Sequence, residues 1–506
     1  MSSHRGIIPA EIFWYQTTFF SRLITLLCPP LGLAILWTNP NRGFWRRLLG
    51  TLVIAFYSVP YTIGFGMLMV SLGFADIEWK GGFGPSLVRH KTEPNYRAVD
   101  ASRALQEEAV AGTNDTPVPT SMWTDFRGPK RDGVYTEQPI LTNWPAEGPK
   151  RLWHQPIGGG YASFVTGEGL AFTIEQRREE ETISAYRIAT GREVWVYSYP
   201  SLFTEWMGGD GPRATPTYHD GFVYGLGASG DLCCLTATNG ALVWRTNILT
   251  ANQSRNLRYG MAASPLINGD QIIVLTGDTA ENRGVVAYHP KTGAKLWSAL
   301  SECQSYTSPM NVTLGGVPQL LIVTSSRVLG LSPDGRKTLW DMPWKVSYDN
   351  AIATPVVVDA DRFVISAGYG TGAALIEISA DIVGMRAREV WRNRNLKTKF
   401  NPAVFWDGHL YGLDEGVLAC VEVTTGERRW RDGRYGYGQL LLASGHLIVL
   451  GGNGILALVP ATPTGFQEIG RVQALPGKTW NVPALAGGLL LVRNASEMAC
   501  FDLRAP

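Results

Sequence analysis

The chain carries little charge and no disulfide framework. Asp, Glu, Lys and Arg make up 17% of its 506 residues, below the roughly one quarter usual for soluble domains, as expected of a protein with a membrane segment and much buried sheet. Lys and Arg number 45 and Asp and Glu 43, a net charge of +2, so no basic face for nucleic acid is implied. There is no Cys-x-x-Cys-His for covalent haem, no Gly-x-Ser-x-Gly and no P-loop. The 7 histidines show no ligand spacing; His154 and His219 fall in strand or turn positions where a solvated side chain is expected. Strings such as Gly368 to Gly372 read as hairpin turns. Of the 6 cysteines, Cys234, Cys420 and Cys500 hold one slot of a repeat described below, which keeps them too far apart to bond. Cys28 lies in an apolar N-terminal stretch and Cys303 between repeats. Cys233 and Cys234 are consecutive strand residues facing opposite ways, and two free thiols are expected.

What the chain has in abundance is glycine, 57 residues, and tryptophan, 17 residues, and they recur in one phrase. Ala185 to Trp195 reads AYRIATGREVW, Cys234 to Trp244 CLTATNGALVW, Ala287 to Trp297 AYHPKTGAKLW and Cys420 to Trp430 CVEVTTGERRW. Looser copies end at Trp340 and Trp391, a copy without Trp lies near Gly470, and half copies sit at Trp153 and at Cys500 to Leu503. Closing positions are roughly 40 to 53 residues apart, the period of four-stranded propeller blades. Thr-Gly or Asn-Gly supplies the positive-φ turn of a tight hairpin, and the Trp on the following strand is expected to fold back over that turn. A ring lying there leaves little room, so the position six before the glycine should be small. Segments alternating through small and β-branched residues begin near Tyr161, Arg213, Met261, Tyr306, Ala351, Phe400, Gly438 and Asn481. Eight such starts and eight closing positions require the strand at Trp153 to complete the blade begun near Asn481, closing the ring and removing its open edge.

These residues resemble the PQQ-type (pyrroloquinoline quinone-like) β-propeller repeat family, whose repeat has the form A-x-D-x-x-T-G-x-x-x-W. The stretches WTDFRGPKRDG at Trp123 to Gly133 and GGDGPRATPT at Gly208 to Thr217 are similar to that family as well. The departure is at the repeat's Asp, which is Arg187, Thr236, His289 and Glu422 here and is kept as Asp502. The resemblance covers about residues 120 to 506 and implies an all-β, eight-bladed propeller. For quinoprotein dehydrogenases of this wider group it also implies a calcium ion held by carboxylates and amides, a catalytic Asp, a Trp beneath the quinone and, in some, a vicinal disulfide. Asp210, Asp278, Asp349 and Asp359 are scattered and form no such set. No catalytic, metal-binding or cofactor-binding residue is therefore assigned, with PQQ as the cofactor the resemblance leaves open and the Cys233 and Cys234 pair as the disulfide it leaves open.

The N-terminus reads as a membrane anchor over residues 1–76, a transmembrane helical hairpin formed from about 13–37 and 48–74. Phe13 to Trp37 contains Arg22, Pro29 and Pro30. Leu23 to Trp37 alone would rise only about 22 Å as a helix against a hydrocarbon core of roughly 30 Å. It either spans from Phe13 with Arg22 reaching the interface or dips in as a broken re-entrant hairpin. Leu48 to Phe74 has no charge and is ample for a tilted helix despite Pro60. Arg42, Arg46 and Arg47 lie between the segments, and Asp76, Glu78 and Lys80 follow the second. The positive-inside rule then puts the rest of the chain outside the cytoplasm, on the periplasmic side of a bacterial inner membrane. Residues 77–120 read as a tether, with Ala98 to Ala111 a possible helix and Gly112 to Thr120 a linker; it either extends or packs on the propeller wall. Residues 121–506 form the propeller.

In a propeller the inner strands converge on a central channel. Tyr161, Arg213, Tyr259, Tyr306, Asn350, Phe400, Tyr437 and Trp480 stand at or just before the inner-strand starts, an aromatic rim with one cation suited to docking a partner or ligand. The alternative is that the aromatics pack between blades and that Arg213 pairs with Asp210. The functional expectation is a non-catalytic platform or accessory subunit that meets other membrane or periplasmic subunits, as the similar assembly-factor propeller of the outer-membrane insertion machinery is thought to do. A PQQ-dependent oxidoreductase and a carbohydrate or small-ligand module are the alternatives. Trp153, Trp195, Trp244, Trp297, Trp340, Trp391 and Trp430 are assigned to structure.

Overall fold

Hairpins of the repeated phrase assemble into eight separate sheets, seven of four strands and one of five, in a computed structural model that describes residues 17–79, 85–108, 122–279 and 281–505. Blades 1 to 7 span 165–200, 217–247, 266–299, 310–343, 356–393, 404–434 and 439–473. Blade 8 takes three strands from 484–502 and its outer strand, Arg151–Pro156, from before blade 1. In that sheet Cys500 pairs with Trp153, so the ring is closed by its own beginning. Alternate residues of the middle strands face the two neighbouring blades, and the cores lie between sheets: Val223, Cys233 and Leu235 of blade 2 pack with Phe172, Ile174 and Ile183 of blade 1.

The cross-strand partner of the tryptophan is small in six sheets: Ala185, Cys234, Ala287, Gly330, Cys420 and Cys500; in blade 5 it is Leu375. Immediately beyond that pair the register slips by one residue in all seven sheets, a bulge that turns the outer strand and re-aims the indole. In six of the seven sheets the ring therefore does not cover its own hairpin, as the sequence suggested, but the turn of the next blade; Trp340 instead donates to Gln319 Oε1 of its own blade at 2.5 Å. Trp153 donates its indole N–H to the Ile188 carbonyl at 2.8 Å, Trp195 to Ala237 at 2.8 Å, Trp244 to Pro290 at 2.6 Å, Trp391 to Val423 at 2.8 Å and Trp430 to Thr462 at 2.8 Å. At Gly240 the backbone has φ +70°, and a Cβ there would lie 2.5 Å from the Trp195 ring. Glycine is required twice over, by conformation and by the neighbour's indole.

Blade 7 has no tryptophan of its own on its outer strand. Trp144, from the segment before blade 1, fills the place: a Cβ on Gly470 would come within 2.7 Å of its ring. The same leading segment pairs Val134–Tyr135 in parallel with the inner strand of blade 7, making its fifth strand. Just upstream, Arg127 and Arg131 are 2% exposed. Arg127 donates to the carbonyls of Pro402 (2.8 Å) and Ala403 (3.0 Å) in blade 6. Arg131 donates to Ser264 (3.2 Å), Pro309 (2.9 Å) and Pro265 in blades 3 and 4. The turn-rich lead-in is thus a plug tied to three separate blades.

A buried ionic network crosses the seam between blades 8 and 1. Burial alone would raise the Glu175 carboxyl, but the guanidiniums of Arg177, Arg493 and Arg103 overcome that and hold it at about 2. Arg493 of blade 8 also donates to Thr173 Oγ1 (2.8 Å) and the Gly158 carbonyl (2.9 Å). Arg103 belongs to a helix, Tyr96–Glu108, whose Asn95 cap accepts the Ala98 amide at 3.1 Å. It reaches Glu193 at 3.1 Å, Gln155 at 3.1 Å and the Pro156 carbonyl at 3.2 Å. The tether therefore packs on the propeller wall over 96–108, the second of the two roles open to it; 109–121 lie outside the described residues.

Contacts divide the chain into two compact units, Met1–Glu78 with Pro85–Lys91, and Trp79–Gly84 with Thr92–Pro506. In the first unit, α1 (Thr18–Leu27) and α2 (Pro29–Thr38) are separated at Cys28, and α3 (Phe44–Ser71) is a continuous helix of 28 residues. Pro29 and Pro30 lack the N–H groups that would carry one helix through. A Cβ on Gly32 would lie 2.3 Å from Thr25 Oγ1, so α1 and α2 fold back on each other. The Leu26 and Leu27 carbonyls at the break accept the hydroxyls of Tyr57 (3.0 Å) and Tyr61 (2.5 Å) from α3. Of the two apolar segments, the second alone is long and apolar enough among the described residues to cross a membrane. The first takes the broken form; its residues 13–16 lie outside the described residues.

Candidate functional site

Each inner strand is preceded by a short segment that turns in from the outer strand of the previous blade, so the residues just before the eight inner strands meet around the channel. There they enclose a cavity of about 220 Å³. Tyr161, Arg213, Tyr259, Tyr306, Asn350, Phe400 and Trp480, seven of the eight rim residues expected from sequence, line it together. Gln439 lines it from the seventh blade, so every blade contributes at least one residue. The eighth, Tyr437, is not in the lining; its hydroxyl accepts Lys399 Nζ at 2.9 Å. The rings touch in series, Tyr161 to Trp480 at 5.6 Å between centroids, Trp480 to Phe400 at 4.8 Å and Tyr259 to Tyr306 at 5.7 Å, within the range of favourable aromatic contacts. The aromatics thus pack between blades and also wall the cavity.

Arg213 forms no direct ion pair with Asp210, the alternative open to it from the sequence, although the carboxylate acts on it from nearby. Its guanidinium donates to the carbonyls of Gly209 (2.6 Å) and Gly211 and lies 4.6 Å from the Phe203 ring and 5.8 Å from that of Tyr161. Asp210 instead accepts the Glu205 amide at 3.1 Å, and Glu205 accepts the amides of Met207 (3.0 Å) and Gly208. Burial lowers the Arg213 pKa from its ordinary value.

Two further cations that the sequence reading did not single out rest on rings around the same channel. Lys399, 6% exposed, lines the cavity with Nζ 4.2 Å from the Tyr437 ring and 5.0 Å from that of Tyr369. Lys478, 5% exposed, lies 4.4 Å from the Trp480 ring and 5.4 Å from that of Tyr161, donating to the Gly208 carbonyl at 3.2 Å. Both were within reach of the repeat: they immediately precede or nearly precede Phe400 and Trp480, at the position that defines the rim. Arg127, Arg131 and Phe126, which lines the cavity from the plug, lay outside any repeat and gave no periodic signal.

The six cysteines are free thiols, including Cys233 and Cys234. Burial raises Cys234 to about 12 and raises Cys233 further, so both are protonated packing groups rather than nucleophiles.

No curated protein sequence matches the chain. Among solved structures, BamB from Moraxella catarrhalis is similar with a TM-score of 0.52 and 16% identity, over 71% of this chain and 98% of that one. A europium-containing methanol dehydrogenase is similar with a TM-score of 0.54 and 11% identity, over 76% and 98%. A quinohemoprotein alcohol dehydrogenase from Comamonas testosteroni gives 0.53 and 12%, over 81% and 85%. At such identities these likenesses show the shared propeller fold. The family profile described as outer membrane protein assembly factor BamB matches residues 179–432, half of the chain, and with the eight repeats in register the chain belongs to this PQQ-type propeller family.

Proposed function

We propose that this protein is a membrane-anchored propeller that serves as a non-catalytic interaction platform, an accessory or assembly subunit of a membrane complex, with the propeller on the periplasmic side. The observation that carries the reading is the channel mouth: eight blades converge on one cavity walled by aromatic rings with Arg213 among them, and aromatic residues and arginine are the types enriched at protein docking surfaces. The BamB-described family match supports protein partners. The apolar helix α3, about 42 Å long at 1.5 Å per residue, exceeds a hydrocarbon core of roughly 30 Å and fits it when tilted. Arg42, Arg46 and Arg47 before it favour a cytoplasmic N-terminal side.

The dehydrogenases among the structural neighbours raise a quinoprotein reading, and the cavity's donors argue against it. A calcium ion beside a quinone needs carboxylate oxygens. Among the described residues no Asp or Glu lines the cavity, which is edged by cations instead, and no group of three or more His, Cys, Asp or Glu is arranged to hold a metal.

The test is purification of the full chain from its native membrane in mild detergent, alongside titration with PQQ and Ca²⁺. Stoichiometric membrane subunits and no quinone absorbance are expected. A chain that purifies alone and reduces a dye in the presence of PQQ, Ca²⁺ and an alcohol would overturn the proposal.

A further inference from the structure

Three cations meet at the cavity without a direct ion pair, although the carboxylates of Glu205 and Asp210 act on Arg213 from nearby. Arg213, Lys399 and Lys478 sit within one aromatic shell, and their hydrogen bonds go to neutral oxygens: the carbonyls of Gly208, Gly209 and Gly211 and the hydroxyl of Tyr437. The nearby Glu205 carboxylate is engaged by backbone amides. Cations resting on ring faces with neutral acceptors keep most of their attraction for an anion. Such a group is recognised strongly when it enters a site already stripped of water.

A second feature points to what carries the anion. Asn350 lines the cavity, is 5% exposed, and its Oδ1 is buried without a hydrogen-bond partner. A buried acceptor left unmade costs free energy, and it suits an N–H donor, which a free carboxylate lacks and a peptide has. The volume, about 220 Å³, is below the roughly 300 to 1,000 Å³ usual for drug-sized ligands and holds one or two side chains.

Resting on the platform reading above, we infer that the channel mouth captures an acidic peptide segment of a partner protein. An Asp or Glu carboxylate sits between Arg213 and Lys399, a neighbouring apolar side chain lies against Tyr259, Tyr306 and Trp480, and a backbone N–H donates to Asn350 Oδ1. The recognised element is short and extended, since the plug carrying Phe126 limits the depth of insertion.

The experiment titrates the full chain in detergent, by calorimetry, with acetyl-Gly-Asp-Phe-Gly-amide, the matching Asn peptide and benzoate. The Asp peptide is expected to bind at least tenfold more tightly than the Asn peptide. Its affinity should fall about tenfold in Arg213→Gln and in Lys399→Gln, and survive in Lys399→Arg. Asn350→Ala should weaken the peptide several-fold and leave benzoate unchanged. Equal binding of the Asp and Asn peptides by the wild-type chain overturns the inference without relying on any variant that fails to fold. Benzoate binding more tightly than the Asp peptide overturns the peptide assignment. Co-purification separates this outcome from the platform reading. A wild-type chain that purifies with its membrane subunits but binds the Asp and Asn peptides equally sinks the capture site alone, whereas a wild-type chain that binds the Asp peptide and purifies without subunits sinks the platform.

Discussion

Trp195 shows how a single side chain couples two blades. It is 8% exposed, donates to Ala237 of the next blade at 2.8 Å and closes the space above Gly240. Trp195→Ala should cost about 3 to 5 kcal/mol in a denaturant titration, and Gly240→Ala should cost more than about 1 kcal/mol, because it strains φ and strikes the ring. Glu175 supplies a pH-dependent counterpart. Its carboxyl, held at about 2 against an ordinary 4.5, contributes stability that is complete above pH 4.5 and is lost as pH falls toward 2. Melting temperatures from pH 7 down to 2 should therefore fall more steeply for the wild type than for Glu175→Gln. That variant should begin about 3 kcal/mol less stable at pH 7, since it leaves buried guanidiniums without their charge partner. The repeat made Trp195, its small partner Ala185 and the turn glycine readable from sequence. The direction of the indole was not readable, because a bulge one residue from the pair sets it, and Val194 or Val243 carries no mark of being the extra residue.

Elements borrowed from outside the repeats complete what the repeats leave open. Trp144 replaces the indole missing from blade 7, and the helix Tyr96–Glu108 locks the blade 8 to blade 1 seam through Arg103. Hydrogen exchange should find Trp144→Ala accelerating exchange in the outer strand Gly470–Gln473 while blade 3 is unchanged. Arg103→Ala should accelerate exchange across 96–108 about tenfold, a loss of about 1.4 kcal/mol. Unchanged protection in either variant would remove the role assigned to that residue. Such borrowing was opaque in the sequence, since Trp144, Arg127 and Arg131 lie in turn-rich segments where side-chain type shows no period. In α1 and α2 the proline pair did mark the break, and the tyrosine hydroxyls that satisfy it came from residues read only as apolar helix.

At the scale of the molecule, the blade count and the closing strand followed from spacing alone, because each hairpin carries its own turn signal and a ring needs its last edge covered. The position of the rim followed too, since inner strands share one axis. Its charge did not: Lys399 and Lys478 look like ordinary polar lead-in residues until the blades bring them onto aromatic faces. The platform account requires this mouth to be the surface that meets a partner. Trp206, 67% exposed, is next to the cavity-lining Met207, whereas Val383, 78% exposed, is on the long hairpin of blade 5. The most direct measurement places a photo-crosslinking phenylalanine at each position in the full chain in its native membrane. The account predicts a discrete cross-linked product from Trp206 and none from Val383. A product from Val383 alone, or none from either in a correctly folded chain, would contradict it.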